Sequence, residues 1–77
     1  MLAYILIETS VGRAGAVASA VTAIDGIAAC DVVAGPYDVI CRADAGSMDE
    51  IGRLVVGRIQ AVEGVTRTLI CPIVSLD

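Results

Sequence analysis

The residues best suited to do chemistry form one short motif, Gly35-Pro36-Tyr37-Asp38, between two runs rich in Val, Ile and Ala. A Gly-Pro pair between such runs is typical of a tight hairpin, because Gly adopts backbone angles forbidden to other residues and Pro fixes φ. Asp38 brings a carboxylate and Tyr37 an amphipathic ring to this tip. Each residue also has a structural interpretation: Gly-Pro as ordinary turn chemistry, Asp38 as a carboxylate bonded to nearby backbone, and Tyr37 as an assembly contact.

A hairpin centred on the Gly-Pro pair fixes the register of the flanking strands. The predicted facing pairs are Ala34 and Tyr37, Val32 and Val39, and Cys30 and Cys41. Cys71 is the third cysteine, and an odd number without C-x-x-C spacing does not indicate a zinc site. We expect reduced core thiols and neither a metal nor a cofactor, with a cross-strand Cys30–Cys41 disulfide as the alternative.

Composition bounds the size and class of the protein. Residues 1–77 make one domain that is 57% hydrophobic but only 3% aromatic, so its core must consist of small aliphatic side chains. The free energy gained by burying a core of this kind only slightly exceeds the entropic cost of ordering the chain, which favours oligomerisation.

Charge and hydropathy argue against several classes of function. The net charge is −4, and five Arg with no Lys form no basic cluster, so direct binding to nucleic acid or to an anionic membrane surface is not expected. Apolar runs of about six residues are far shorter than the roughly twenty of a membrane span, and no signal sequence is evident, which indicates a cytoplasmic protein. The sequence has no Lys and no His, the most usual general acid–base, which favours a role other than catalysis, although a carboxylate base such as Asp38 is available.

Hydrophobic periodicity predicts six elements, with strands over 2–8, 27–34, 37–45 and 65–74 and helices over 10–24 and 47–62. Ser10 is the predicted N-cap of the first helix, and Ser47 and Glu50 form a capping box for the second. Gly26 and Gly64 are suited to end the two helices.

One helix-to-strand unit occurs twice, with Val17 matching Val55 and Gly26 matching Gly64. The order β-α-β-β-α-β with right-handed crossovers predicts a ferredoxin-like α+β fold, in which both helices cover one face of a four-stranded antiparallel sheet. Strands 1 and 3 are central, and Pro72 places the last strand on an edge or a bulge. The uncovered face predicts a homodimer packed sheet on sheet, or a higher even assembly.

Three segments together resemble the effector-binding domain of the Lrp/AsnC (feast/famine) transcriptional regulators: Gly35-Pro36-Tyr37-Asp38, the pattern Ile51…Leu54…Ile59, and Gly64-Val-Thr-Arg-Thr68. In that family the hairpin is commonly G-x-Y-D, and the last strand commonly opens with G-V-x-x-T. The resemblance covers essentially the whole chain. It implies a dimeric α+β barrel, often assembled into rings of dimers, and a stand-alone domain without the family's helix-turn-helix.

The resemblance also implies a binding site. The family's effectors are amino acids or related small molecules bound near the hairpin where dimers meet, and the matching residues here are Gly35, Tyr37, Asp38 and Thr68. Asp38 would bind the effector's ammonium group, while Thr68 and hairpin amides would donate to its carboxylate. Two alternatives remain open: an assembly partner of full-length Lrp/AsnC regulators with no effector of its own, and a small dimeric α+β barrel enzyme of the monooxygenase or isomerase type.

Overall fold

A computed structural model describes residues 1–76 and contains the predicted order of elements. The elements are β1 (Leu2–Thr9), α1 (Ala14–Thr22), β2 (Ile27–Val32), β3 (Val39–Asp44), α2 (Met48–Leu54) and β4 (Val65–Pro72). A π-helical turn, Val55–Ile59, continues α2. Within the described residues, no helix has the length and hydropathy needed to cross a membrane.

The four strands form one antiparallel sheet in the order β2-β3-β1-β4, so β1 and β3 are central as predicted. Alternate residues of the central strands point to the helices and are fully buried, and they meet apolar side chains from both helices there. The buried core comprises Ala3, Ile5, Ile7, Val17, Val21, Ile24, Val39, Cys41, Ala43, Ile51, Val55 and Ile59. The ferredoxin-like α+β fold is thereby confirmed.

The other face of the sheet, which we term the open sheet face, has no covering element among the described residues. Leu6 of β1 lies between Ile40 of β3 and Leu69 of β4, which makes an apolar row across three strands. Tyr4 lies one row further along, and Tyr4 and Leu69 are 42% and 45% exposed. Large apolar side chains therefore face solvent on this side of the single chain.

The first helix begins later than the sequence indicates. Ser10 is not its N-cap, because the helix starts at Ala14 with Arg13 in the cap position and no side-chain cap bond. Gly12 has a φ of +79°, which interrupts helical geometry between Ser10 and Ala14. The Ser10 backbone N–H instead donates to the Gly64 carbonyl at 2.8 Å and ties this loop to the start of β4.

The second helix has the predicted N-terminal cap. The Ser47 hydroxyl accepts from the Glu50 N–H at 3.2 Å, and the Glu50 carboxylate accepts from the Gly46 N–H at 2.7 Å. Both helices end before a glycine with positive φ, +96° at Gly26 and +99° at Gly64. The internal repeat therefore has a structural counterpart at both helix ends.

The last strand lies on an edge of the sheet, as Pro72 predicts. Pro72 faces Ala3 of β1, and the next residue, Ile73, donates its N–H to the Leu2 carbonyl at 2.9 Å. Successive residues of a strand direct their backbone groups to opposite sides. The nitrogen of Pro72 therefore points away from β1, and the ladder loses no bond through the missing N–H.

Candidate functional site

The segment that connects β2 to β3 is wider than a tight hairpin. Residues 34–38 form bends rather than a hydrogen-bonded two-residue turn, and β3 begins at Val39 rather than at Tyr37. The Val33 N–H donates to the Asp38 carbonyl at 2.9 Å and closes the loop. The predicted register is nevertheless correct, because Val32 faces Val39 and Cys30 faces Cys41.

Asp38 joins this connection to the end of β1. Its Oδ2 accepts from the Thr9 N–H at 2.8 Å and from the Thr9 hydroxyl at 3.3 Å. Its own N–H donates to the Ile7 carbonyl at 2.9 Å. The carboxylate has two oxygens with several acceptor positions, so binding Thr9 through Oδ2 leaves Oδ1 able to accept from a ligand.

Gly35 and Tyr37 form the tip of the connection. Gly35 is exposed, and a Cβ added to it would meet no atom within 4 Å. It is not among the three glycines with positive φ, so the expectation that glycine is needed here for forbidden backbone angles is wrong. Tyr37 is half-buried. Its phenol ring therefore remains partly available to a ligand or to a second chain.

Thr68 lies in β4 directly opposite Ile7, so its side chain is on the helix-covered side at the sheet edge. The Gln60 side-chain amide, just after the π-helical turn, donates to the Thr68 hydroxyl oxygen at 2.9 Å. A hydroxyl that accepts this bond still has its own proton to donate. The arrangement therefore presents Thr68 as a donor, the role that recognition of a carboxylate requires.

The structure places the predicted site residues at one end of the sheet, with Gly35, Tyr37 and Asp38 together in one connection and Thr68 apart from them. Ile7 faces Val39 on one side and Thr68 on the other, so Thr68 is two strand spacings, roughly 10 Å, from Val39, which follows Asp38. Strand β1 thus separates Asp38 from Thr68.

Two of the recesses among the described residues bear on the candidate site, and the larger of them is not the one beside a predicted site residue. The larger, about 720 Å³, is on the outer side of α2 around Gly52 and Val56 and contains no predicted site residue. The smaller, about 280 Å³, lies beside Thr68 and is lined by Gln60, Val65, Thr66 and Arg67. The smaller recess is the better candidate for a ligand site, because it adjoins a predicted donor whereas the larger one is a shallow helix surface.

Thr9 and Gln60 bond to two of the candidate residues, and the sequence analysis did not predict either of them. Thr9 is the last residue of β1 and meets Asp38 only because β1 and β3 are neighbours. Gln60 reaches Thr68 because α2 and β4 are brought together by the crossover. Neither contact has a local sequence signal, since the partners are distant along the chain or lie in different elements.

Comparison with known proteins identifies a family and several structural relatives. The family model for the Lrp/AsnC ligand binding domain matches residues 2–75. The TTHA0845 protein of Thermus thermophilus is 27% identical with a TM-score of 0.85, over 99% of this chain and 98% of that one. A comparison with curated proteins gives no significant match.

Longer proteins share the fold. The transcriptional regulator NMB0573 of Neisseria meningitidis, solved as a complex with L-Met, is 17% identical with a TM-score of 0.84, over 97% of this chain and 50% of that one. Escherichia coli AsnC is 18% identical with a TM-score of 0.79, over 99% of this chain and 55% of that one. This chain therefore corresponds to about half the length of these two regulators.

Proposed function

Because the chain belongs to the Lrp/AsnC ligand-binding-domain family, we propose that it binds an amino acid or a related small effector and couples that binding to assembly. The family is a regulatory one, which favours this role over catalysis. The observation that carries the proposal is the arrangement of Asp38 and Thr68 at one end of the sheet, an acceptor anchored by Thr9 and a donor oriented by Gln60. These are the two kinds of group that an amino acid's ammonium and carboxylate require.

We propose that the site is completed by a second chain. Asp38 and Thr68 of one chain lie on opposite sides of β1, and the tip residues Gly35 and Tyr37 extend from the sheet at the same end. A neighbouring chain would supply the wall that the single chain lacks around these residues. Ligand pockets commonly lie at such junctions, where they bury most of the ligand's surface.

The open sheet face supports a homodimer as the first level of assembly. Leu6, Ile40 and Leu69 form a continuous apolar row on this face, and Tyr4 extends it. A second copy would remove these side chains from water, and each square ångström of apolar area buried contributes about 25 cal/mol. A ring of dimers would then bring the connections between β2 and β3 together, with the effector stabilising the ring by mass action.

The proposal is tested by screening the twenty amino acids for a rise in melting temperature, with light scattering recording the assembly size of each sample. We expect one or a few amino acids to raise the melting temperature and shift the size distribution together. Asp38→Asn is the informative variant, because an amide oxygen still accepts from Thr9 while the negative charge for the effector's ammonium is lost. Affinity at least tenfold weaker in Asp38→Asn, with an unchanged melting temperature of the free protein, supports the site.

Two results would contradict the proposal. If Asp38→Asn binds the effector as tightly as the original chain, Asp38 is not in the site. If no amino acid changes either the melting temperature or the size, the chain is better explained as an assembly partner of full-length Lrp/AsnC regulators. Mixing it with such a regulator and measuring the size of the complex would then test that second function.

A further inference from the structure

Two of the three cysteines face each other across neighbouring strands. Cys30 of β2 and Cys41 of β3 are directly opposed in the antiparallel register. Cys41 is fully buried on the helix-covered side, and Cys30 is partly buried and packs against the same core. Both thiols therefore lie on one face of the sheet, and Cys30, in an edge strand, is the one nearer to solvent.

The backbone hydrogen bonds of the sheet decide what kind of pair this is. Ala45 donates its N–H to the Met1 carbonyl beside β1, whereas Asp44 donates to the Gly26 carbonyl beside β2. Backbone groups along a strand alternate between its two neighbours, so Cys41, an even number of residues from Ala45, directs its groups to β1. Cys30 and Cys41 are thus a non-hydrogen-bonded pair, the type in which opposed side chains are closer.

Such a pair matches the geometry of a disulfide. The Cα atoms of non-hydrogen-bonded pairs are about 4.5 Å apart, within the range of about 4.4–6.8 Å seen for disulfides. Cys71 cannot compete for either thiol within the same chain, because it lies opposite Tyr4 on the open sheet face and β1 separates it from β3. Three cysteines allow three different disulfides, and within one chain the sheet permits only Cys30–Cys41.

The two thiols also differ in reactivity. Burial is the main cause that raises the pKa of Cys41, and hydrogen bonding with Cys30 adds to it. A thiol held protonated in this way is a poor nucleophile. The edge position makes Cys30 the thiol of this pair that an oxidant in solution can reach first.

We propose that Cys30 and Cys41 form a modification site for peroxides that is oxidised reversibly to a disulfide. The Cys30 thiolate attacks one oxygen of hydrogen peroxide and breaks the O–O bond, which gives a sulfenic acid and a hydroxide that takes up a proton to form water. The Cys41 sulfur then displaces the hydroxyl group of the sulfenic acid, which takes up the proton of the Cys41 thiol and leaves as a second water. The two sulfurs lose two electrons, the peroxide gains them, and a dithiol reductant restores both thiols by exchange.

The disulfide would close a loop that contains the whole connection from Val33 to Asp38. It would fasten the edge strand β2 to the central strand β3 without changing their register, because the two residues are already opposed. Oxidation is therefore expected to raise the melting temperature by restricting the unfolded chain. This inference does not depend on effector binding.

The test uses the full chain with Cys71→Ser, so that only the pair can react. The folded protein is treated with a small excess of hydrogen peroxide, unfolded in the presence of iodoacetamide and measured by intact mass. We expect a monomeric product lighter by two hydrogen atoms that takes up no alkyl group, and recovery of two alkylation sites after treatment with dithiothreitol. The oxidised protein should also melt at a higher temperature than the reduced protein.

Two further variants in the Cys71→Ser background assign the roles of the thiols. In Cys41→Ala, Cys30 should stop at a sulfenic acid that is trapped by dimedone, whereas in Cys30→Ser the buried Cys41 should remain a free thiol. The proposal is overturned if Cys71→Ser keeps two alkylatable thiols after peroxide. It is equally overturned if that protein yields a disulfide-linked dimer or a sulfinic acid instead of the internal disulfide. The Cys71→Ser result decides the matter even if Cys41→Ala does not fold.

Discussion

The carboxylate of Asp38 holds the end of β1 through Thr9, with Oδ2 2.8 Å from the Thr9 nitrogen and 3.3 Å from its hydroxyl. The proposed effector-binding residue is thus also a structural residue. A loss of binding on substitution has two explanations, and variants must separate them.

Asp38→Ala is expected to destabilise the protein, and Asp38→Asn is the matched control. Alanine leaves the partly buried Thr9 N–H without its acceptor, which costs about 1–3 kcal/mol, whereas asparagine keeps an acceptor oxygen. Each kcal/mol lowers the melting temperature by roughly 4–8 °C in a domain of this size. Thermal unfolding at one protomer concentration checks this, and equal melting temperatures for Asp38→Ala and the original chain would show that the Thr9 contact is not stabilising.

Gly35→Ala is expected to keep the stability of the original chain, whereas Gly64→Ala is expected to be less stable. A Cβ at Gly35 meets open space, so its effect on stability should stay within about 0.5 kcal/mol. Gly64 has a φ of +99°, and a Cβ there would lie 3.0 Å from the Arg13 Cβ and 3.1 Å from the Val17 Cγ2. The strained backbone alone costs about 1–3 kcal/mol.

Urea denaturation of both glycine variants gives the comparison. If Gly35→Ala keeps full stability but loses effector binding, glycine is required at the tip by the bound molecule rather than by the fold. A Gly64→Ala variant as stable as the original chain would refute the role assigned to positive φ at the end of the second helix.

Leu69→Arg is expected to disrupt the homodimer while leaving the fold intact. Leu69 is 45% exposed in the single chain, so a charged side chain there costs little until a second sheet packs on it. Val56→Arg, at a position in the π-helical turn that is 67% exposed, is the matched control for adding a charge. Sedimentation should show that Leu69→Arg is monomeric whereas Val56→Arg stays dimeric. A dimeric Leu69→Arg would contradict packing through the open sheet face.

Stability should fall at alkaline pH through Cys41. Burial and hydrogen bonding with Cys30 raise the pKa of Cys41 in the folded state. Above the ordinary thiol pKa of about 8.5, the unfolded chain therefore loses this proton while the folded chain retains it. The contribution of Cys41 to the free energy of unfolding is fully present below that pH. Above it, the free energy of unfolding decreases by at most about 1.4 kcal/mol per pH unit.

Urea denaturation between neutral and alkaline pH, in the presence of a reductant, measures this slope. Cys41→Ala should show a smaller alkaline loss than the original chain, because it lacks the buried thiol. Identical pH profiles for the two proteins would contradict the assignment.

The sequence predicts the fold better than it predicts the site, for physical reasons. Val17 and Val55 recur at matching places before Gly26 and Gly64, and such periodicity reports directly on which faces are buried. The prediction that Ser10 caps the first helix is wrong because serine also occurs in loops. The positive φ of the nearby Gly12, which interrupts helical geometry there, cannot be predicted from residue type alone.

The candidate site depends on side-chain contacts between different elements of the fold. Thr9 meets Asp38, and Gln60 meets Thr68, only after the sheet order and the crossover are fixed. Gly35 was expected to have backbone angles that only glycine adopts, but it is not among the glycines with positive φ. The candidate residues Gly35, Tyr37, Asp38 and Thr68 came from resemblance, and their role in binding remains a proposal.

The outward nitrogen of Pro72 has a consequence for how copies of this chain can grow into larger bodies. A strand added beyond β4 would find no donor at that position, so one carbonyl of the newcomer would be left without a partner. Fibre-like extension along the sheet is therefore discouraged at this border.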